Sequence, residues 1–275
     1  MTTLRNDTIQ RQRYEYKYVI DERLALAIRD FVASYLEPDP YGRTQPLYSY
    51  PVHSLYLDSP SLRTFQETVN GDRNRFKLRI RYYENQHDTP VYFEIKRRAD
   101  RVISKKRVMV YRHAAEELVR GFLPGFESLA HPVAEQMDAL ADFTRLVNHL
   151  QARPSVHVSY LREAWIADGH NKIRVTLDRN VQSEAQRRVA FDYNFTRPNR
   201  VFGDRIILEL KFTDRFPLWF KELVQVFNLR QGGAAKYVQG VLNMGEHRVM
   251  HHNDYPPFVT QSRSTHSDKQ RTSKT

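Results

Sequence analysis

Two hydrophobic rhythms run along the chain, and the shorter one dominates. Apolar side chains fall at every second position in many short runs, and three or four apart in a few longer stretches. Glu15–Ile20, an aromatic and β-branched run, reads as a strand. Asp21 stands where a helix cap belongs, and Leu24, Ile28, Phe31, Val32 and Leu36 keep helical spacing until Pro38 ends it. A loop over 38–46 leads to a strand at Val52–Leu57, and Asp58-Ser59-Pro60 turns into a short helix through Val69. After the Asn70-Gly71 turn, strands are predicted within Arg73–Tyr83, Val91–Arg98 and Val102–Tyr111, joined by turn-rich linkers that suit antiparallel hairpins. Residues 113–150 read as helix, broken near Pro124-Gly125 and Pro132. Strands follow at Pro154–Trp165, Ile173–Asp178, Arg187–Phe191 and Arg205–Phe212, the first two joined by an Asp168-Gly169 turn. Helices at Pro217–Leu229 and Ala234–Leu242 complete the set. With no repeat and no dividing linker, one α+β domain with a large antiparallel sheet is expected over 13–245. Residues 1–12 read as a flexible N-terminus and 246–275, rich in Ser, Thr, His and Lys, as a disordered tail.

The strands carry charge on one face. Side chains alternate along a strand, so Arg73, Arg75, Lys77, Arg79 and Arg81 share a face opposite Asn74, Phe76, Leu78, Ile80 and Tyr82. Glu94, Lys96 and Arg98 oppose Val91, Phe93 and Ile95, and Lys105 and Arg107 oppose Val108 and Val110. Lys172, Arg174, Thr176 and Asp178 alternate with Ile173, Val175 and Leu177, and Glu209 and Lys211 with Leu208, Leu210 and Phe212. For any one strand the ordinary reading is a half-solvated sheet. The set as a whole points elsewhere, because solvated faces mix Lys with Glu, Thr and Ser, whereas the first strand is almost all Arg. Arginine suits forked contacts with phosphate. If such a sheet closes on itself, its charged faces line a common channel.

Composition sharpens this picture in three ways. The 275 residues carry 43 Lys and Arg against 32 Asp and Glu, a net charge of +11. Residues 73–112 alone hold 13 basic and 4 acidic side chains, so the excess is a local feature and calls for an anionic partner. The absence of cysteine excludes a disulfide scaffold, a thiolate zinc site and a cysteine nucleophile. No stretch approaches the ~20 apolar residues of a membrane helix, and the N-terminus lacks the apolar core of a secretion signal, so a cytoplasmic protein is expected. The 11 histidines show no HExxH motif, the metalloprotease-type zinc signature. His53 and His157 read as hydrogen-bonded strand residues, and the tryptophans and most other aromatics as core or channel-mouth packing. Tyr82 and Tyr83 suit base stacking and strand packing equally. Asp58 either orients an arginine or caps the helix after it.

Seven short pieces in order carry a family resemblance. Arg13-Tyr14-Glu15-Tyr16-Lys17-Tyr18, Tyr56-Leu57-Asp58 and Lys77-Leu78-Arg79-Ile80-Arg81-Tyr82-Tyr83 are followed by Glu94-Ile95-Lys96, Lys105-Lys106-Arg107, Leu208-Glu209-Leu210-Lys211 and Ala235-Lys236-Tyr237. Over about residues 13–243 they resemble the VTC domain, the catalytic domain of the vacuolar transporter chaperone polyphosphate polymerase. The resemblance implies a triphosphate tunnel (CYTH-like) fold, an antiparallel β-barrel tunnel with helices packed outside. It also implies metal-dependent transfer of the terminal phosphoryl group of ATP, or another nucleoside triphosphate, to a growing polyphosphate. By motif, the phosphate ligands would be Lys17, Arg79, Arg81, Lys96, Lys105, Arg107, Arg162, Arg174, Lys211 and Lys236. Of these, Lys17, Arg79, Arg81, Lys96 and Lys236 would act on the transferred group, and Glu209 would hold Mn²⁺ or Mg²⁺, with Glu15 and Glu94 as further carboxylates. Face alternation favours Lys105 over Lys106.

Two departures bear on activity. Arg13 stands where hydrolases and cyclases of the wider superfamily begin an ExExK motif, which favours the polymerase branch. Gly233 stands where the family usually places a second basic residue, three positions before Lys236. The family's inositol-phosphate-sensing domain and membrane helices have no counterpart in these residues, so direct membrane insertion is not expected, while a membrane-protein partner is compatible. Two alternatives remain open: a triphosphate or nucleotide hydrolase of the same fold, and a non-catalytic polyphosphate-binding module. Nucleic acid fits less well, because no aromatic platform interleaves with the arginines.

Overall fold

A computed structural model describes residues 13–83, 88–100, 102–167, 172–191, 194–213 and 215–251. The predicted Asp168-Gly169 turn and nearly all of the predicted tail lie outside the described residues. Strand β1 (Arg13–Ile20) leads into α1 (Glu22–Val32), and the Asp21 carboxylate accepts the Leu24 N–H at 2.8 Å to cap it. The helix stops one turn before the expected Leu36, and Glu37–Pro38 forms a short strand β2 on the edge of a longer one. Strand β3 (Ser49–Asp58) and α2 (Arg63–Val69) precede the hairpins β4 (Asn74–Tyr82), β5 (Val91–Ala99) and β6 (Val102–Val110). Helices α3 (Ala115–Val119) and α4 (Ala134–Leu150) fill the predicted broken helix. Then come β7 (Arg153–Ile166), β8 (Ile173–Ala185), β9 (Asn199–Arg200) and β10 (Ile206–Thr213), followed by α5 (Leu218–Val226), α6 (Lys236–Met244) and α7 (Glu246–Val249).

The strands form one antiparallel sheet in the order β1-β10-β8-β7-β3-β4-β5-β6, with β2 on β7 and β9 on β8. Helices cover its apolar side chains in three patches, two on the convex face and one on the concave. Leu140, Phe143 and Val147 of α4 pack on Ile80, Phe93 and Val108. On the concave face, which Val156 and Val158 share with Tyr160 and Arg162 along β7, those valines pack with Tyr237 and Val241 of α6. Ile28 of α1 and Phe220 and Leu223 of α5 pack on Leu208 and Leu210. The period-two alternation therefore sends most apolar side chains outward to α1, α4 and α5 and leaves the charged set on the concave side, next to the α6 patch.

Two expectations need correction. The sheet is strongly curled but not a closed barrel: among the described residues no ladder joins β1 to β6, although their Cα atoms come within 8 Å. Side chains span the seam instead, with Lys96 of β5 3.0 Å from Glu15 of β1. The edge of β1 is also covered locally, where the Gly232 N–H donates to the Lys17 carbonyl at 3.0 Å. The second correction concerns β8, which runs on to Ala185 through an irregular step opposite Ser159–Leu161, with Asn180 at φ 49°. Arg187–Phe191 is not a strand; Val189 and Phe191 pack on the α4 side of the core without pairing. The left-handed Asn180 breaks the alternation that a sequence reading follows, and so hides the second half of β8.

A basic cavity as the candidate functional site

Curling the sheet turns its charged faces into the wall of one cavity of about 490 Å³. Fourteen Lys and Arg side chains line it against two glutamates, Glu15 and Glu209. All ten residues singled out as phosphate ligands are among them: Lys17, Arg79, Arg81, Lys96, Lys105, Arg107, Arg162, Arg174, Lys211 and Lys236. Lys106 points the other way and pairs with Asp142 of α4, so face alternation assigned this doublet correctly. Lys236 reaches the wall from the first residue of α6. That helix is anchored through the Tyr237 hydroxyl, which donates to Asp58 at 2.7 Å. Asp58, fully buried, also accepts the Thr64 and Phe65 N–H groups at 2.9 and 3.0 Å, so of its two readings the helix cap is the one observed.

The cations are aimed by buried carboxylates. Glu94, 1% exposed, holds Arg79 at 2.6 Å, Lys105 at 2.8 Å and Arg107 at 3.2 Å. Asp178 holds Arg162 and Lys236, each at 2.7 Å, and Asp39 holds Arg174 at 2.7 Å. Glu209 contacts Lys236 at 3.1 Å, Lys17 at 3.3 Å and Arg162 at 3.3 Å, and also pairs with Lys211. Lys17 sits between Glu209 and Glu15, 3.0 Å from the latter. Burial alone would push the Glu94 carboxyl upward, but Arg79, Lys105, Arg81 and Arg107 outweigh it and hold the group well below the usual carboxylate range. Glu209 is held down in the same way, by Lys211, Lys236, Lys17 and Arg162 against burial. Burial disfavours the charged Lys17 ammonium, yet Glu15 and Glu209 raise it above its ordinary value. These networks freeze the rotamers of long side chains, so their remaining N–H donors are already positioned.

Tyrosines complete the wall. Tyr56, Tyr83, Tyr160 and Tyr237 face the cavity with Tyr50. Arg79 donates to the Tyr56 hydroxyl at 3.2 Å, Arg107 to Tyr83 at 3.1 Å and Arg81 to Tyr160 at 3.1 Å. Burial opposes ionisation of Tyr56, but Arg79, Lys77 and Arg81 bring it down to about 8. Tyr83 is lowered to about 8 by Arg107 and Arg81, again against burial. Tyr82, by contrast, is a fully buried core residue. His53 and His157 are buried outside the cavity, 3.1 Å apart at Nδ1 and Nε2, as expected for hydrogen-bonded strand residues. Among the described residues no group of three or more His, Asp or Glu forms a metal cage.

Sequence reasoning missed two parts of the site. Asp39 and Asp178 were not recognised as partners of Arg174 and Arg162, since pairing across strands depends on register. Arg75, Lys77, Arg97 and Arg98 also line the cavity without having been named as ligands, although the alternation of β4 already placed Arg75 and Lys77 on the charged face.

The profile of the VTC domain matches residues 12–244. The chain belongs to the VTC domain family. No curated protein matches it. Among solved structures, a candidate adenylate cyclase from Bacillus halodurans is similar, with a TM-score of 0.51 at 14% identity, covering 84% of this chain and 97% of that one. A weaker similarity, TM-score 0.44 at 11% identity, links 85% of this chain to 99% of the PH1819 protein of Pyrococcus horikoshii OT3. The Bacillus likeness speaks for the fold alone, that of a curled, tunnel-type α+β sheet. Among the described residues of this VTC domain, no helix is long and apolar enough to cross a membrane.

Proposed function

We propose that this VTC domain is a phosphotransferase that moves the terminal phosphoryl group of ATP, or of another nucleoside triphosphate, onto a polyphosphate chain lying in the cavity. The observation that carries this reading is a cavity lined by fourteen cations whose innermost members are fixed by buried carboxylates. A polyanion entering it meets donors that need no reorganisation, which is what phosphoryl transfer requires of a protein.

In this reading the terminal oxygen of the chain attacks the γ-phosphorus. The bond from that phosphorus to the β–γ bridging oxygen breaks, and the nucleoside diphosphate leaves with the bonding pair. The nucleophile is already ionised, so no general base is needed. Arg79, Arg81, Lys17, Lys96 and Lys236 would neutralise the transferred group, while Lys105, Arg107, Arg162, Arg174 and Lys211 would hold the phosphates on either side. Glu209 and Glu15, with Lys17 between them, offer oxygen donors at the wall but too few for an all-protein cage. They fit a Mn²⁺ or Mg²⁺ ion shared with substrate oxygens, which would add charge neutralisation to that of the side chains.

The test is incubation of purified protein with ATP and Mn²⁺, followed by gel analysis for polyphosphate. Polymer is expected, and its loss in Arg81→Ala and Glu209→Ala. Orthophosphate release without polymer would replace the proposal with a hydrolase. Tight, salt-sensitive polyphosphate binding with no turnover would replace it with a binding module.

A further inference from the structure

The cations of the cavity divide into two populations. Those on the inner wall are paired with Glu15, Glu94, Asp39, Asp178 or Glu209, except Arg81, which donates to the Ser54 and Tyr160 hydroxyls. At the mouth where β4 begins and β5 ends, Arg75, Lys77, Arg97 and Arg98 also line the cavity, yet no carboxylate pairs with any of the four among the described residues. Among the described residues, Arg98 donates to the Asp100 carbonyl at 2.9 Å and Arg75 to the Asp72 carbonyl, and the Nε and Nη2 groups of Arg97 are shut off from solvent without a hydrogen-bond partner. Arg75 and Arg98 face each other across the β4–β5 ladder, as do Lys77 and Lys96. Burial and then the charge of Arg98 hold the Arg75 guanidinium below its ordinary value, the nearby Asp72 offsetting only part of this. A cluster of like charges with no internal counter-ion is stable only with an anion or water among its members.

The opposite mouth is built differently. There Tyr41, Tyr50 and Tyr83 form a ring cluster with centroids 5.2 to 6.2 Å apart. The cavity thus differs along β4: the tyrosine cluster lies toward Tyr83, and the cations without a carboxylate partner lie toward Arg75, beside Thr68, Phe76 and Ile103 and with Lys77 over the Tyr237 ring.

We infer that the Arg75–Arg98 mouth is a distal phosphate subsite, which binds the body of a long polyphosphate while a triphosphate seated on the inner wall does not reach it. The inference rests on the proposed reading of the cavity as a polyphosphate site. Four residues of β4 separate Arg75 from Arg79, ~13 Å at ~3.3 Å per residue, which exceeds the ~8 Å Debye length at physiological salt. The Arg75–Arg98 pair is therefore largely screened from a short ligand held at Arg79 and further in, whereas Lys77, two positions from Arg79, is not. Only a ligand long enough to extend outward gains from it.

The test is a binding titration of the Arg75→Ala/Arg98→Ala double variant with tripolyphosphate and with long-chain polyphosphate, without nucleotide or metal. Long-chain affinity should fall by ~10-fold, as expected for two partly exposed charges, and with it the steepness of the salt dependence. Affinity for tripolyphosphate should stay within about two-fold because of the screening. An unchanged thermal midpoint shows that the variant folds. Equal weakening for both ligands would show a general field rather than a subsite, and would overturn the inference. So would unchanged affinity for the long chain. Because no turnover is read, absence of polymer synthesis would refute the proposed reaction and leave this result standing.

Discussion

Glu94→Gln tests most directly whether buried carboxylates hold the cavity open. The substitution keeps the shape of a side chain that is 1% exposed and removes the charge shared by Arg79, Lys105 and Arg107. Removing one partner of a buried ion pair typically costs ~3–5 kcal/mol. Only Arg79, 17% exposed, is buried enough to carry that penalty; Lys105 at 42% and Arg107 at 29% are partly screened by water. A loss of ~3 kcal/mol is therefore expected, which lowers the melting temperature of a domain this size by ~6–12 °C. A bound polyanion should replace the missing charge. At a hundred-fold excess over its dissociation constant, tripolyphosphate stabilises by ~2.7 kcal/mol even without added affinity, and the freed cations should increase its effect. Thermal denaturation with and without tripolyphosphate reads both quantities. The pH dependence follows from the same pair. Glu94 is held well below the ~4.3 of an unfolded glutamate, so its contribution is complete above that pH and is lost as pH falls through the folded value. Wild type should then lose stability in acid more steeply than Glu94→Gln. A variant that melts within ~2 °C of wild type, or gains no more than wild type from ligand, would refute the reasoning.

Other outcomes follow from single contacts. Burial and the neighbouring His157 lower His53 to about 3, so stability should decline between pH 6.5 and 5 by up to ~1.4 kcal/mol per unit, and His53→Phe should flatten that slope in urea titrations. Asp58→Ala should destabilise by ~2–4 kcal/mol in chemical denaturation, since it strips the α2 cap and the Tyr237 anchor together; a loss under ~1 kcal/mol would contradict that. Burial and the charges of Lys96, Lys17 and Arg75 bring Lys77 down to about 8, so long-chain polyphosphate should bind more weakly as pH rises through 8, while Lys77→Arg should bind with a shallower pH profile. A Cβ at Gly233 would meet nothing within 4 Å, so Gly233→Lys should fold with an unchanged melting temperature and tighten polyphosphate binding in a direct titration.

What the sequence disclosed was what alternation alone encodes. Arg79 and Arg81 against Ile80 and Tyr82 assign the two faces of β4 without reference to any other strand, and the same rule separates Lys105 from Lys106. The counter-ions were less legible. Asp178 meets Arg162 only through the β7–β8 register, which shifts at an irregular step, and Asp39 reaches Arg174 from a loop 135 residues away in the chain. The seam was not legible at all, because closure depends on accumulated twist over eight strands and no single segment records it.

That seam has a consequence for how a polymer is admitted. A fully laddered barrel accepts a long chain only end-first, as thread enters a needle. Among the described residues, the seam between β1 and the β5–β6 edge is bridged by the Glu15–Lys96 ion pair, with Gly232 covering part of the β1 edge, rather than by a row of backbone bonds. A half-exposed ion pair of this kind contributes about 1 kcal/mol or less, and on the proposed reading phosphate would compete with Glu15 for the lysine. That reading then predicts lateral loading: a ring-shaped polyphosphate, which has no end to thread, should bind in a direct titration, and its exclusion would mean that the seam stays shut.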